Sequence, residues 1–167
     1  QIPNGYTVWV FASSDFNNDK MADYVVVAHM KNEEKMMENA PRRPLLVFLQ
    51  NKDGTFTLTA RNDFVVMAED EGGQCDPFED GMDGLAVKGA YFTVQNSVAC
   101  GEHWTDFLTF KYSAEQQNFV FHKRIFESWI MNNSTAPDAD ALVLGPRKVV
   151  SANKKKPVLL QNYKPNP

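Results

Sequence analysis

The chain has 167 residues, enough for one domain with a hydrophobic core of its own. Hydrophobic residues make up 43% of it and aromatic residues 12%, which excludes a chain that is disordered throughout. The net charge of −4 is mildly acidic, and no apolar run reaches the roughly 20 residues that a membrane-spanning helix needs. We therefore expect a globular protein without a membrane span.

The charge is unevenly distributed along the chain. All 21 acidic residues lie at or before Asp140, whereas the residues after it include six basic ones and no acidic one. We therefore divide the chain into a β domain at 1–140 and a basic extension at 141–167 that packs on the domain or trails from it. Such an extension can bind phosphate or an anionic surface, or lie across the acidic face of its own domain. Nucleic-acid binding is not predicted, because only Tyr163 supplies an aromatic ring near these charges.

Alternating apolar residues and β-branched or aromatic enrichment predict most of the elements as strands. In chain order these strands cover 6–11, 24–29, 45–50, 55–60, 64–67, 85–88, 91–96, 104–112 and 118–126, with further short edge strands at 142–144 and 158–160. Only 32–39 has a helical pattern, and Pro41 and Pro44 end it quickly. The fold class is therefore all-β, a single antiparallel domain built as a sandwich or a strongly twisted meander.

Oxygen-bearing side chains recur at alternate positions in the segment 15–23. They are Asp15, Asn17, Asp19 and Asp23, with the backbone carbonyl of Met21 at the remaining position. Calcium takes about six to eight oxygen ligands, and three negative charges in so short a loop repel one another unless a cation lies between them. The spacing predicts a calcium site made of these five residues. The alternative is a loop of Asx turns, since Asp and Asn also bond their own backbone.

The surroundings of this loop exclude an EF-hand. Strands are predicted on both sides in place of helices, Val26 stands where a bidentate glutamate is required, and Lys20 replaces the central glycine. A calcium loop between two strands is the better interpretation.

The segment 15–26 resembles the calcium loop of FG-GAP and VCBS-type repeats, and the turn at 51–56 is similar to the hairpin that ends such a repeat. The resemblance covers one repeat, from Gly5 to about Val66, and it implies that the five residues named above hold calcium. The pattern occurs once and no repeat period is visible, so we expect no complete propeller. The stretches 76–79, 91–94 and 104–110 also look like parts of small bacterial envelope proteins that carry one such loop.

The two cysteines, Cys75 and Cys100, each lie beside glycine in a turn-rich segment. We predict a disulfide between them, which together with a calcium loop favours an oxidising compartment, periplasmic or secreted. The alternative is two unpaired buried thiols. The chain opens with Gln1-Ile2-Pro3, which lacks the basic and apolar regions of a signal peptide. That start fits the mature form of a periplasmic protein, or of a lipoprotein anchored upstream.

A long acidic loop at 69–83 surrounds the first cysteine. Loops of this length without structure of their own are often functional. Exposed charges together with an aromatic side chain suit recognition of a protein partner with a basic surface. The candidate contact residues are Glu69, Asp70, Glu71, Asp76, Phe78, Glu79 and Asp80. The simpler alternative is that charge keeps an exposed loop soluble.

Nucleophile and phosphate-binding signatures are absent from the sequence. The leading hypothesis is a non-enzymatic envelope or secreted domain with structural calcium that binds a protein. An alternative is an immunity or inhibitor protein that neutralises a secreted bacterial toxin. A further alternative is a hydrolase using Asp76, Glu79 or Asp80 with His103, which a disulfide between the two cysteines would bring near these carboxylates.

Overall fold

The computed structural model describes residues 1–36, 39–78, 84–101 and 103–165. Within them the chain forms ten strands joined by turns and three short 3-10 turns. The strands are β1 (Tyr6–Ser14), β2 (Asp23–Met30), β3 (Leu45–Gln50), β4 (Phe56–Asn62), β5 (Leu85–Lys88), β6 (Tyr91–Val98), β7 (His103–Ser113), β8 (Asn118–Met131), β9 (Leu142–Leu144) and β10 (Lys148–Ser151).

These strands make two antiparallel sheets. The first has the order β1-β2-β3-β4, and the second has the order β10-β8-β7-β6-β5, with β9 pairing alongside β8 as well. Each sheet is a meander because most neighbours in space are also neighbours in sequence. The predicted all-β class is confirmed, and the described residues form neither a closed barrel nor a propeller.

One hydrophobic core lies between the sheets. Over the first six residues of β6 every second residue is buried, because successive side chains of a strand point to opposite faces. The same alternation places Leu108 and Phe110 of β7 inside. The first sheet supplies Val25, Val27, Leu45, Val47 and Ala60, and the second supplies Phe92, Val94, Leu108, Phe110, Phe119 and Phe121.

The helix predicted at 32–39 is wrong in type. The structure has a 3-10 turn at Glu33–Lys35, preceded by Asn32 in the left-handed region at φ 62°. The carboxylate of Glu33 accepts the N–H of Met30 and a bond from Arg43, so it fixes a tight turn instead of continuing a helix. Residues 37 and 38 of the predicted helix lie outside the described residues.

The strand predicted at 64–67 does not form either, since two buried asparagines take the place of a neighbouring strand. Asn62 Oδ1 accepts the N–H groups of Phe64 and Val65. Asn96 donates to the carbonyl of Val65 and accepts the N–H of Met67. These side chains satisfy the backbone groups that a sheet ladder would otherwise pair.

The residues after 141 are part of the sheets and the core. β9 and β10 pair with successive parts of β8, and Val120 forms an isolated bridge with Leu159. Leu160 is fully buried, and Tyr163 stacks on Phe121 with the ring centroids 4.4 Å apart. The amide of Asn62 donates to the carbonyls of Leu160 and Tyr163, at 2.6 and 2.7 Å. A strand at 142–144 was predicted and is present, whereas the strand at 148–151 was missed. The edge strand predicted at 158–160 is wrong, because the structure has only the isolated bridge at Leu159 and a 3-10 turn at Leu160–Asn162.

Replacing Asn62 by alanine is expected to lower the free energy of unfolding by about 2 kcal/mol, because it leaves buried N–H and carbonyl groups without partners. Chemical denaturation of the variant measures the loss. Replacement of the exposed Asn153 is the control, since its Oδ1 accepts one N–H in a surface turn. Equal stability of the two variants would contradict the role given to Asn62.

Candidate metal loop and arginine cluster

The predicted calcium loop connects β1 to β2 and is fixed at both ends by buried side chains. Phe16 is 1% exposed and packs edge-on against Phe92 and Phe119 of the opposite sheet. Asp23 is fully buried, and its two carboxylate oxygens accept the N–H of Phe16 and the N–H of Gln50. The loop is therefore tied both to the core and to the end of β3.

The exposed part of the loop is a series of Asx turns. Asp15 accepts the N–H groups of Asp19 and Lys20, at 3.0 and 2.9 Å. Asn17 Oδ1 also accepts the N–H of Asp19, and Asp19 Oδ1 accepts the N–H of Met21. The side-chain amide of Asn17 donates to Asp19 Oδ2. The turn chemistry set out as the alternative is thus present in the structure.

Lys20 occupies the position at which a loop of this kind makes its sharp turn. Its φ is 70°, in the left-handed region that glycine adopts most readily. Asn18 is also left-handed, at φ 64°, and asparagine tolerates this region better than most residues. The lysine therefore does not prevent the turn, although it holds a conformation that costs about 1 kcal/mol relative to glycine.

The donor set suits calcium in kind, with three carboxylates, one amide oxygen and one carbonyl. The arrangement of these oxygen atoms in the structure differs from that of an assembled calcium site. Across the described ranges, no group of three or more His, Cys, Asp or Glu side chains is placed to hold a metal ion. Asp15, Asp19 and Asp23 face the backbone N–H groups of the loop, so ion binding would require Asp15 and Asp19 to share or exchange these bonds.

Burial raises the pKa of Asp23, and the negative charge of Asp19 adds to that effect. The hydrogen bonds from the backbone of Gln50, Phe16 and Asn17 act in the opposite direction. A cation in the loop would also favour the ionised carboxylate.

The predicted disulfide is confirmed. Cys75 and Cys100 are joined, with their Cα atoms 6.2 Å apart. The bond links the acidic segment to the turn before β7, and Pro77 beside it accepts the N–H of Ser97 from β6. A disulfide is compatible with an oxidising compartment outside the cytoplasm.

Next to the disulfide lies an arginine cluster built around Arg43, which is 1% exposed. Its guanidinium makes two hydrogen bonds to Asp76, at 2.6 and 2.5 Å, and bonds to Glu33 and to the carbonyl of Met67. Its flat face lies 4.5 Å from the ring centre of Trp9. Burial alone lowers the pKa of a guanidinium, but the hydrogen bonds with Asp76 and Glu33 raise the pKa of Arg43 above its usual value.

The structure corrects the exposure assumed for two of the candidate contact residues at 69–83, Asp76 and Phe78, whereas Asp70 and Glu71 are exposed. Phe78 is 4% exposed and packs against Trp9 and Gly84 within the core. Asp76 is the partner of Arg43, Glu71 forms an ion pair with Arg42, and Asp70 accepts the N–H of Ala40. Glu69 begins the 3-10 turn at 69–72. Glu79 and Asp80 lie outside the described residues.

Asp76 and His103, which were candidate catalytic residues of a hydrolase, are bonded to groups within the domain. The carboxylate of Asp76 is engaged by Arg43 and by the N–H of Phe78. His103 Nδ1 lies 3.0 Å from the carbonyl oxygen of Gly101. A carboxylate that is already bidentate to a buried arginine is poorly placed to exchange protons with a substrate.

Sequence reasoning missed the role of Arg43. Its signal is the sequence Pro41-Arg42-Arg43-Pro44, in which two cations lie in a segment that prolines keep extended. Two neighbouring arginines in an extended segment indicate that they form ion pairs with the acidic loop of the same domain. In the structure Arg42 pairs with Glu71, and Arg43 pairs with Asp76.

Comparison with known proteins gives no match to a family model, to a curated protein or to a solved structure. The similarity of the 15–26 loop to FG-GAP and VCBS-type repeats thus depends on the loop residues alone. In the part of the chain that the structure describes, no helix has the length and apolar character needed to cross a membrane.

Proposed function

We propose that this chain is a non-enzymatic β domain of an oxidising compartment outside the cytoplasm, and that its 15–23 loop takes a calcium ion that stabilises the fold. The observation that supports the metal is the left-handed turn at Lys20, with Asp15 accepting the N–H groups of Asp19 and of Lys20 itself. Lys20 is the sixth residue of the loop when Asp15 is counted as the first, and EF-hand loops have a glycine at their sixth position for the same sharp turn.

The disulfide supports the proposed compartment. Cytosolic reductants keep thiols reduced, whereas the bond between Cys75 and Cys100 needs an oxidising environment to persist. Calcium is also plentiful outside the cell, so the bound ion and the disulfide would share one location. The proposal covers the periplasm and the extracellular space alike.

Binding of a basic protein through the acidic segment is not part of this proposal. Asp76 and Phe78 are engaged inside the domain, and Glu71 already has Arg42 as its cation. An immunity or inhibitor protein that bound its target through the same segment could not use these residues as contacts.

Calcium is expected to raise the free energy of unfolding by about 2.7 kcal/mol when it is at a hundredfold excess over its Kd, because it binds the folded state alone. The measurement is thermal unfolding in millimolar calcium and in chelator, with titration calorimetry of calcium into the chelated protein. The Asp19→Asn variant keeps the Oδ1 that accepts the N–H of Met21 but removes one charge, so the calcium shift should fall.

Asp53→Asn is the matched control for this experiment. Asp53 accepts the N–H of Thr55 in the turn between β3 and β4, which is the same local chemistry outside the loop. Its variant should keep the full calcium shift. No shift in the wild type, together with no heat of binding, would refute the metal proposal.

A further inference from the structure

The basic extension and the second sheet together enclose a groove that the sequence did not reveal. It has a volume of about 640 Å³, within the range of small-molecule sites. We call it the basic groove, and it is lined by Tyr91, Lys111, Tyr112, Ser113, Ala114, Glu115, Gln116, Val120, Phe121, His122, Ala152, Asn153, Lys154 and Pro157.

Strand register brings the groove residues together. Tyr91, Lys111 and Val120 lie directly opposite one another on β6, β7 and β8. Their neighbours Phe92, Phe110 and Phe121 point into the core, so these three side chains project from the other face of the sheet. A register shift at Thr109/Phe110 leaves His122 as the extra residue of β8.

The chain after β10 forms the second wall. Ala152 donates its N–H to the carbonyl of His122 at 2.9 Å, which holds this segment against β8. The contact brings Lys154 to the same groove as Lys111 and His122. Residues from three strands and from the basic extension therefore meet at one place.

In the part of the chain that the structure describes, the lysines of the groove form no ion pair with a carboxylate. Lys111 and Lys154 line it, Lys123 adjoins His122, and Glu115 is the one acidic residue of its lining. Among the described residues every ion pair is made by an arginine or a histidine, so these lysines have no carboxylate partner. The pKa of His122 is lowered by burial and by the charges of Lys123, Lys111 and Lys154.

The groove also has an aromatic wall. The rings of Tyr91 and His122 meet edge to face with their centroids 5.2 Å apart, and Lys111 Nζ lies 5.3 Å from the ring centre of Tyr91. A flat ligand with a negative group could pack on Tyr91 while that group meets the ammonium groups. Unpaired cations beside an aromatic surface are the elements by which proteins bind phosphorylated or sulfated ring compounds.

We propose that the basic groove binds a small organic anion, a phosphate or sulfate ester of a ring compound, with the anionic group among Lys111, Lys154 and His122 and the ring against Tyr91. This site is separate from the calcium loop and does not depend on it.

The test uses phenyl phosphate as the probe, with the intact chain and titration calorimetry at low and high salt. Removing two cations with Lys111→Gln and Lys154→Gln should weaken binding by at least about tenfold. Lys31→Gln with Lys52→Gln is the matched control, because it removes the same charge from exposed positions outside the groove and should change the affinity by less than about twofold. Equal weakening in both double variants would overturn the site.

A second readout is the titration of His122 followed by NMR. The charges that lower its pKa are those of Lys123, Lys111 and Lys154, while Tyr91 contacts its ring and Glu115 lines the same groove. A bound anion offsets the ammonium charges, so the pKa of His122 should rise and binding should take up protons. An unchanged His122 titration at saturating phenyl phosphate, or binding of long polyanions such as heparin without binding of phenyl phosphate, would refute the proposal.

Discussion

Replacing Arg43 by alanine is expected to lower the free energy of unfolding by about 4 kcal/mol, because it leaves two carboxylates inside the protein without their cation. Glu33 is 4% exposed as a residue, and the side chain of Asp76 is 13% exposed. Urea denaturation of the wild type and the variant gives the difference directly. Arg43→Lys should recover little, because an ammonium cannot make the paired bonds that the guanidinium makes to Asp76.

The matched control is Arg61→Ala, since Arg61 also pairs with a carboxylate through two bonds but does so on the surface. An exposed pair of this kind contributes less than about 1 kcal/mol. A triple variant that replaces Arg43, Glu33 and Asp76 by apolar residues should be more stable than Arg43→Ala, because it buries no unpaired charge. If Arg43→Ala costs no more than Arg61→Ala, the cluster does not stabilise the domain.

Loss of the disulfide is expected to lower the free energy of unfolding by about 3 kcal/mol in the chain-entropy account. The cysteines are 25 positions apart in sequence, and the segment between them includes β5 and β6. The measurement compares the denaturation midpoint of the wild type, with and without reductant, and of the double variant Cys75→Ser with Cys100→Ser.

The loss of stability should begin in the segments that the disulfide joins. Without the bond, the backbone of Pro77 is joined to β6 through the hydrogen bond from Ser97. Hydrogen exchange should therefore speed up first at the amide of Ser97, and later at Val94 and Leu108 in the core. Reductant should leave the serine variant unchanged. Equal midpoints for the wild type in both conditions would show that the bond does not stabilise the fold.

The parts of the fold that follow from local pattern were predictable. Strands such as β3 at Leu45–Gln50 and β5 at Leu85–Lys88 have bounds that match the sequence pattern. Strand formation there is decided by alternation and by flanking turns, such as Asp53-Gly54, which depend only on neighbouring residues.

The failures came from contacts between residues far apart in sequence. The segment 64–67 has strand-like residues, but the distant side chain of Asn96 takes the backbone hydrogen bonds of Val65 and Met67. Likewise Glu33 has helical propensity, yet its bond to Arg43 across ten positions fixes a 3-10 turn. Local propensity is a weak prior that such tertiary contacts override.

Of the candidate sites, the disulfide was predictable because two cysteines allow a single intrachain pairing. The loop residues were also located correctly between two strands, although their side chains bond the backbone in the structure. The basic groove could not be found in this way. The groove is formed by a register shift beside His122 and by the packing of residues 152–157 against β8. Neither feature can be predicted from the local sequence.

The bonds from Asn62 to the carbonyls of Leu160 and Tyr163 join residues 98 and 101 positions apart. During synthesis the two sheets can pair their own strands early, but the space that Leu160 fills stays open until the last residues of the segment have been made. Contacts this distant slow folding, because the long loop between them must be ordered before they form. We therefore expect the core to close around Leu160 after the strands of each sheet have paired, so that a growing chain exposes apolar surface until residues 160–163 have been made.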